Sequence, residues 1–257
     1  MKYDEYLELA KESALEAGKI ITENFGERIE IGHKGKYDLV TKMDMRSEKY
    51  IVDSINERFP DHDIVTEETD LEKTGSEYVW YIDPISGTTN YAHSLPVFSV
   101  SVGLTYQGEV IVGAANDPLR EELFYASKGN GAYLNDEKLH VSDVDKLKDA
   151  VLGTSFPYDE DERKVNLKYF NKLMPNVQGL RRSGSVAVDL PHVACGRMDG
   201  FWAIHLKPWD LAAGKLIVQE AGGKVTKLDG DEHNVKDSYI IATNGKIHDE
   251  MIEVLNS

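Results

Sequence analysis

The chain has 257 residues, of which 41% are hydrophobic, so it is long enough for one large domain or two small ones with a substantial core. It carries 29 Lys and Arg against 45 Asp and Glu, a formal net charge of −16. This acidic balance repels polyphosphate backbones and argues against a nucleic-acid partner. Cys195 is the only cysteine, which excludes an intramolecular disulfide, and no Cys/His cluster indicates zinc.

The compartment and the solubility follow as expectations from the same composition. The amino-terminal segment lacks the unbroken apolar core of a secretion signal, and no apolar run approaches the roughly 18 residues of a membrane span. We expect no membrane association. A single cysteine makes a reducing compartment, and hence the cytoplasm, the simplest setting.

Two amphipathic helices are predicted near the amino terminus, because residues 4–24 and 38–59 place apolar side chains at three- and four-residue steps. Three strands follow at residues 78–83, 97–106 and 109–117, which are rich in β-forming residues. A glycine-containing turn joins the last two, so we expect a hairpin in an antiparallel sheet. The two glycines of GNGAYLN predict a turn, since no helix follows them as a nucleotide-binding loop requires.

Beyond about residue 145, strands and helices alternate as in an α/β fold. The predicted strands are residues 150–156, 199–206 and 239–244, and the predicted helices are residues 161–174, 185–196, 209–223 and 248–256. The pattern predicts two parts, residues 1–145 with most of the candidate site and residues 146–257 contributing Asp210 and substrate contacts. No linker separates them, so we expect a shared interface with the site in the cleft between them.

The clearest concentration of chemistry lies in the segment WYIDPISGTTNY. Asp83 follows a buried strand, where a lone carboxylate is costly unless a cation or hydrogen-bond donors compensate it. Pro84 restricts the turn, and the carbonyl of Ile85 can point to the same place. The backbone amides of Gly87 and Thr88, at the start of a predicted helix, suit phosphate oxygens. Hard oxygen ligands beside an anion cradle indicate Mg²⁺ and a phosphate ester rather than zinc or iron.

Several segments together resemble the inositol monophosphatase family. They are TEE at 66–68, DPISGTTN at 83–90, WDLAAGKLIVQEAGG at 209–223, DLVTKMD at 38–44 and the R-x-S-G-S-x-A pattern from Arg181. The resemblance spans nearly the whole chain. It implies an α+β fold, a layered αβαβα sandwich, usually homodimeric, that hydrolyses small phosphate monoesters with Mg²⁺ and is often inhibited by Li⁺.

The resemblance also implies roles for individual residues. Glu67, Asp83 and the Ile85 carbonyl would hold the first metal ion, Asp83 and Asp210 the second, with two or three ions in all. Asp44 and Thr88, together with Glu67, would orient and deprotonate the attacking water for an in-line displacement.

Substrate contacts are implied in the same way. Those that would bind phosphate or substrate are Gly87, Thr88, Ser86, Arg181 and Ser183. Lys34 matches a basic residue of the family and is a candidate phosphate contact.

The chain departs from the family pattern at two positions. Ser86 stands where the family motif has a second aspartate, and serine is a weaker, shorter ligand, so the second metal site and the turnover should be weakened. Ala203, seven residues before Asp210, stands where inositol-preferring members place an acidic residue. Sugar phosphates, fructose 1,6-bisphosphate and nucleotide phosphates therefore remain open as substrates beside inositol monophosphate.

Each candidate also has an ordinary structural interpretation. Glu67 and its neighbour can be surface charges, and Asp44 and Asp210 can cap the helices that they begin. The histidines have no metal-ligand spacing and are predicted to be structural or exposed, and Cys195 is predicted to pack. Ser86 leaves a second function open, that of an inactive pseudoenzyme that binds a ligand or protein partner.

Overall fold

The computed structural model describes residues 3–27, 31–33, 35–36 and 38–257, so Lys34 lies outside the described residues. The described helices are α1 (Asp4–Thr22), α2 (Lys42–Arg58), α3 (Thr88–Ala92), α4 (Glu160–Leu173), α5 (Val186–Ala194), α6 (Pro208–Glu220) and α7 (His248–Asn256). The strands are β1 (Ile31–His33), β2 (Leu39–Thr41), β3 (Asp63–Thr66), β4 (Tyr78–Ser86), β5 (Ser99–Tyr106), β6 (Glu109–Asp117), β7 (Glu122–Ser127), β8 (Ala132–Leu134), β9 (Glu137–Lys138), β10 (Val151–Thr154), β11 (Gly179–Arg181), β12 (Gly200–Ala203), β13 (Lys224–Thr226) and β14 (Ile240–Thr243).

Two large sheets organise the fold. The first has seven strands in the order β3-β4-β5-β6-β7-β8-β9, in which only the β3–β4 pair is parallel. The second has five strands in the order β11-β10-β12-β14-β13, with β10 parallel to both neighbours and the remaining pairs antiparallel. Strands β1 and β2 form a separate antiparallel pair.

Helices and sheets stack in five layers, as the predicted αβαβα sandwich requires. Helices α1 and α2 cover one face of the seven-stranded sheet with apolar side chains such as Ala14 and Ile51. Helices α5 and α6 lie between the two sheets, where Leu190 and Ile217 belong to one apolar core with residues of both. Helices α4 and α7 cover the outer face of the five-stranded sheet through Leu173 and Met251. The fold class is confirmed.

Two glycines let helix α6 approach the centre of the first sheet closely. A methyl group on Gly103 would lie 2.7 Å from Cβ of Ala212, and one on Gly113 would lie 2.7 Å from Cα of Ala213. Contacts this short do not occur without displacement, so any residue larger than glycine at position 103 or 113 would push the helix away from the sheet. The glycines therefore set the distance between α6 and the sheet, and with it the position of Asp210 in the first turn of α6.

Most predicted elements are confirmed, including the β5–β6 hairpin. The second helix was predicted too long at its start, because Leu39–Thr41 pairs with Ile31–His33 as a strand. The side chain of Thr41 then accepts hydrogen bonds from the backbone N–H groups of Met43 and Asp44, so the helix begins at Lys42. Segment 129–135 contains the predicted turn but continues into β8.

Eight strands were not predicted: β1, β2, β3, β7, β8, β9, β11 and β13. All but the six-residue β7 have four residues or fewer, and so few residues show no clear periodicity. The division of the chain near residue 145 stays a prediction, since α5 and α6 follow it in sequence but pack on both sheets. Among the described residues, no helix is long and apolar enough to cross a membrane.

Candidate active site

A cleft of about 250 Å³ opens where the first sheet meets the C-terminal half of the chain. Its floor is formed by the end of β4 and the start of α3, and its walls by the loop after β3, the loop after β10 and the start of α6. Glu67, Asp83, Ile85, Ser86 and Asp210 all line it. Residues far apart in sequence are thus brought to one place, as the motifs predict.

Asp83 is the least compensated acid of the cleft. Its side chain is 1% exposed, and its Oδ1 atom has no hydrogen-bond partner. Burial raises the pKa of Asp83 well above its usual value, and the neighbouring carboxylates of Glu67 and Asp210 raise it further. A buried carboxylate oxygen without a donor, beside two other acids, is the arrangement that a cation would stabilise.

The pairing of β3 with β4 explains how Glu67 reaches Asp83. The two strands are parallel and in register, with Thr66 opposite Ile82, so the residues that follow each pair lie next to each other. Asp210 arrives from the other side, as the third residue of α6. Its Oδ2 atom accepts a hydrogen bond from the backbone N–H of Lys207 at 2.7 Å, so it also caps its helix, as the structural interpretation predicted.

A second group joins Asp44 to the start of α3. Oδ2 of Asp44 accepts hydrogen bonds from the backbone N–H and the hydroxyl of Thr41, at 2.7 and 2.6 Å. Oδ1 of Asp44 lies 3.2 Å from the Thr88 hydroxyl, which is also 3.0 Å from the Ile85 carbonyl. Burial raises the pKa of Asp44 to about 6, while the hydrogen bonds from Thr41 act in the opposite direction. Asp44 is therefore both a helix cap and an acceptor behind Thr88.

Gly87 provides a backbone geometry that other residues do not tolerate. Its φ of 101° is in the left-handed region, and an added methyl group would lie 3.1 Å from the Val97 carbonyl and 3.2 Å from Cβ of Ser185. The amides of the first turn of a helix have no intrahelical acceptor, so those of Gly87 and Thr88 suit an anion in the cleft.

Ser86 lies inside the cleft at the end of β4, with a side chain that is 5% exposed. Its Oγ atom accepts a hydrogen bond from the backbone N–H of Ala187 at 3.3 Å. It also lowers the pKa of Asp83 slightly as a hydrogen-bond partner, against the larger effect of burial. The Ser86 hydroxyl thus has two protein partners, the backbone N–H of Ala187 and the carboxyl group of Asp83.

The donor set fits Mg²⁺ in its chemistry, since the candidates are carboxylates and a carbonyl, all hard oxygen donors. The unpartnered Oδ1 of Asp83 is the observation that points to a cation. Within the part of the chain that the structure describes, however, no three His, Cys, Asp or Glu side chains are assembled as a group that could hold a metal ion. Ser86, which contributes no carboxylate, lies in the middle of this set.

Two predicted substrate contacts are not brought to the cleft. Arg181 and Ser183 line a neighbouring cavity of about 420 Å³ instead. Arg182, between them, lines both cavities. The substrate roles of Arg181 and Ser183 stay predictions.

Sequence reasoning missed four cleft residues: Tyr158, Arg182, His205 and Lys207. Nε2 of His205, which had been predicted to be structural or exposed, is 2.8 Å from Oε2 of Glu162 and 3.1 Å from the hydroxyl of Tyr239. The only sequence signals were the position of Lys207 just before the Pro-Trp-Asp motif and that of Tyr158 just after Phe-Pro. Ala203, by contrast, is fully buried in β12.

Comparison with known proteins agrees with this fold. A model of the inositol monophosphatase family matches residues 2–257. The inositol-1-monophosphatase of Synechocystis is 44% identical over 253 residues, covering 97% of this chain and 88% of the relative. The fructose-1,6-bisphosphatase/inositol-1-monophosphatase of Aquifex aeolicus is 42% identical over 252 residues, covering 97% and 94%.

A solved structure gives the same result. The inositol monophosphatase of Anabaena superposes with a TM-score of 0.91 at 41% identity, covering 100% of this chain and 97% of the other. The fold and the cleft define a protein of the phosphatase class found in these relatives. The chain belongs to the inositol monophosphatase family, which confirms the resemblance inferred from its motifs.

Proposed function

We propose that this protein hydrolyses a small phosphate monoester, with Mg²⁺ as cofactor and water as nucleophile. The observation that carries the proposal is the buried, partnerless Oδ1 of Asp83 beside Glu67 and Asp210, next to the amides of Gly87 and Thr88. Two relatives that match 97% of the chain are named as phosphatases. Two or three Mg²⁺ ions would be held by Glu67, Asp83, the Ile85 carbonyl and Asp210. Bound there, they supply positive charge to the phosphate and the leaving oxygen and lower the pKa of bound water.

The residues behind the cleft would handle the proton of the attacking water. The Thr88 hydroxyl lines the cleft and lies within hydrogen-bond distance of Oδ1 of Asp44. It can accept a hydrogen bond from water while its own proton points to Asp44. Because burial raises the pKa of Asp44 to about 6, this carboxyl is a better proton acceptor than an exposed aspartate. Glu67 would orient the same water from the opposite wall.

The walls of the cleft favour an anionic or polyhydroxylated leaving group. Arg182, His205 and Lys207 bring three basic side chains to the cleft, and Tyr158 adds a phenol. This supports fructose 1,6-bisphosphate or a nucleotide phosphate as alternatives to inositol monophosphate and sugar monophosphates, in agreement with the absence of an acid at Ala203.

Phosphate release from a panel of inositol, sugar and nucleotide phosphates, with Mg²⁺ titrated, tests the proposal. The panel is run on the unaltered chain and on Ser86→Asp, which restores the family ligand. We expect weak activity in the first, stronger activity in the second, and inhibition by Li⁺. The absence of phosphate release by both proteins at every Mg²⁺ concentration would contradict the proposal.

A pseudoenzyme of the same fold is the second candidate function. It is favoured by Ser86, which brings no carboxylate to the cleft and whose hydroxyl accepts a hydrogen bond from the backbone N–H of Ala187. Ligand binding without turnover in the panel, unchanged by Ser86→Asp, would favour it. For either function we propose the cytoplasm, a reducing compartment, as the setting, because the single cysteine, Cys195, is a free thiol.

We also propose a homodimer. Leu95 and Leu119 are 52% and 37% exposed, and their near neighbours Val97 and Arg120 line one cavity. Burying this apolar surface against a second copy would stabilise the pair. Sedimentation of the chain and of Leu95→Glu tests it: a dimer is expected for the first and a shift toward monomer for the second, and a monomeric unaltered chain would contradict it.

A further inference from the structure

Helix α2 contacts the segments that carry the proposed active site through one face. Asp44, Ser47 and Glu48 are spaced i, i+3 and i+4, so their side chains lie on the same side of the helix. All three are buried, at 0, 0 and 3% exposure. Buried polar groups of this kind require partners, and each of the three finds one in a different segment of the cleft floor or wall.

Glu48 contacts the residues on both sides of Glu67. Its Oε2 atom accepts a hydrogen bond from the Thr66 hydroxyl at 2.5 Å and another from the backbone N–H of Glu68 at 3.0 Å. Because Glu67 lies between these two residues, one carboxylate oxygen restrains the side chain before it and the peptide N–H after it. Hydrogen bonds to an ionised acceptor are stronger than those between neutral groups.

Ser47 holds the neighbouring strand in the same way. Its hydroxyl donates to the carbonyl of Pro84 at 3.0 Å, between Asp83 and Ile85. The pairing of β4 with β5 shifts register between Asp83 and Ser86, so this carbonyl lies where the regular ladder is interrupted. The helix thus fixes the loop of Glu67 and the strand of Asp83 relative to each other.

We propose that Glu48 is a positioning residue that holds Glu67 in place to bind the divalent cation. The inference rests on the proposed function, since it assigns Glu67 to the cation. Supporting hydrogen bonds behind a metal ligand commonly change metal affinity or activity by about 10–100-fold when they are removed. Glu48→Ala should weaken cation binding by a factor in this range, whereas Glu48→Gln, whose amide oxygen can accept the same two hydrogen bonds, should retain most of it.

Calorimetric titration with Mg²⁺ measures the affinity in the unaltered chain and in Ser86→Asp, each with and without the Glu48 substitutions. Hydrogen exchange of the Glu68 amide provides a readout that needs no cation. We expect this amide to lose protection in Glu48→Ala and keep it in Glu48→Gln. Unchanged protection in Glu48→Ala would overturn the inference.

A double-mutant cycle separates positioning from general destabilisation. In the Glu67→Gln background, Glu48→Ala should cause little further loss of Mg²⁺ affinity, because its effect passes through Glu67. Additive losses, or unweakened binding in Glu48→Ala, would overturn the inference.

Asn244→Ala is the matched control. Asn244 is buried, does not line the cleft and donates hydrogen bonds to the Ser142 hydroxyl and the Val144 carbonyl, so this change should lower stability but leave Mg²⁺ affinity intact. Weakened binding in this control would assign the Glu48 effect to stability and contradict the inference. Absence of Mg²⁺ binding in both the unaltered chain and Ser86→Asp would instead count against the proposed function.

Discussion

The backbone N–H of Ala187 donates a hydrogen bond to the Oγ atom of Ser86, with 3.3 Å between the two atoms. This contact joins the end of β4 to the first turn of α5, across the boundary between the two halves of the chain. A carboxylate at position 86 can accept the same hydrogen bond, because it is an oxygen acceptor at a helix N-terminus. Restoring an aspartate there should therefore be compatible with the local structure.

Ser86→Asp should increase phosphate release by at least about 10-fold at saturating Mg²⁺, because it would add a carboxylate to the proposed cation site beside Asp83 and Asp210. Steady-state kinetics across a Mg²⁺ titration measures the change. Ser86→Asn is the matched control, since it has nearly the same shape without the charge and should gain little. An equal gain in both variants would show that size rather than charge is responsible.

Asp83→Asn should stabilise the protein without Mg²⁺ and abolish its response to Mg²⁺. Burial and two neighbouring acids raise the pKa of Asp83, so at neutral pH this carboxyl destabilises the folded state relative to the unfolded one, in which it ionises freely. Replacing the carboxyl should raise the free energy of unfolding by about 1–3 kcal/mol in EDTA. Urea denaturation with EDTA and then with Mg²⁺ tests both parts. A variant less stable than the parent in EDTA would argue against an uncompensated carboxylate.

Gly113→Ala should lower both stability and activity. The new methyl group would lie 2.7 Å from Cα of Ala213, so α6 must move and carry Asp210 with it. Overpacking of this kind costs about 1–3 kcal/mol. Thermal denaturation and phosphate release are the measurements. Gly35→Ala is a suitable control, because its methyl group would come no closer than 3.7 Å to Asp38; equal effects in the two variants would contradict the steric explanation.

The contribution of His248 to stability should fall as the pH drops from about 6.5 toward 4. Burial lowers the pKa of His248 to about 4, and its Nε2 and Nδ1 atoms each lie 2.9 Å from a threonine hydroxyl, those of Thr226 and Thr243. Between these pH values the unfolded chain binds a proton that the folded chain does not, so acid favours unfolding.

The contribution of His248 is about 1–3 kcal/mol, fully present above pH 6.5 and lost near pH 4. Urea denaturation at several pH values measures it. His248→Gln, which cannot titrate, should show a shallower dependence on pH in this range. An unchanged slope would assign the acid sensitivity to other groups, of which His233, with a pKa also lowered to about 4 by burial, is the first candidate.

The helices and the central hairpin could be predicted because their apolar residues recur with a regular period over many consecutive positions. Strands such as β11 (three residues) and β13 (three residues) could not, since they form only when a neighbouring strand supplies hydrogen-bond partners. The start of α2 was misjudged for the same reason: pairing with Ile31–His33 draws Leu39–Thr41 into a strand.

The candidate site divides along similar lines. Glu67, Asp83, Thr88 and Asp210 could be named in advance, because each lies in a short segment whose residue types already suit cation or phosphate chemistry. The family resemblance predicted Arg181 as a substrate contact, but the arginine that lines the cleft is its neighbour Arg182. Adjacent residues in extended backbone point to opposite sides, so the choice depends on how β11 docks beside β10.

The sequence by itself determined the family, because the motifs that resemble it are short runs of neighbouring residues; through that resemblance it implied the layered fold, and it predicted cation and phosphate chemistry for the site. Only the tertiary structure decided that Glu48 accepts a hydrogen bond from the Glu68 N–H and that Ser86 contacts Ala187. It also decided that His205 and Lys207 line the cleft. The physical reason is distance along the chain. Glu48 and Glu68 are 20 residues apart and Ser86 and Ala187 are 101 apart, and contacts at such separations arise only when packed layers bring the segments together.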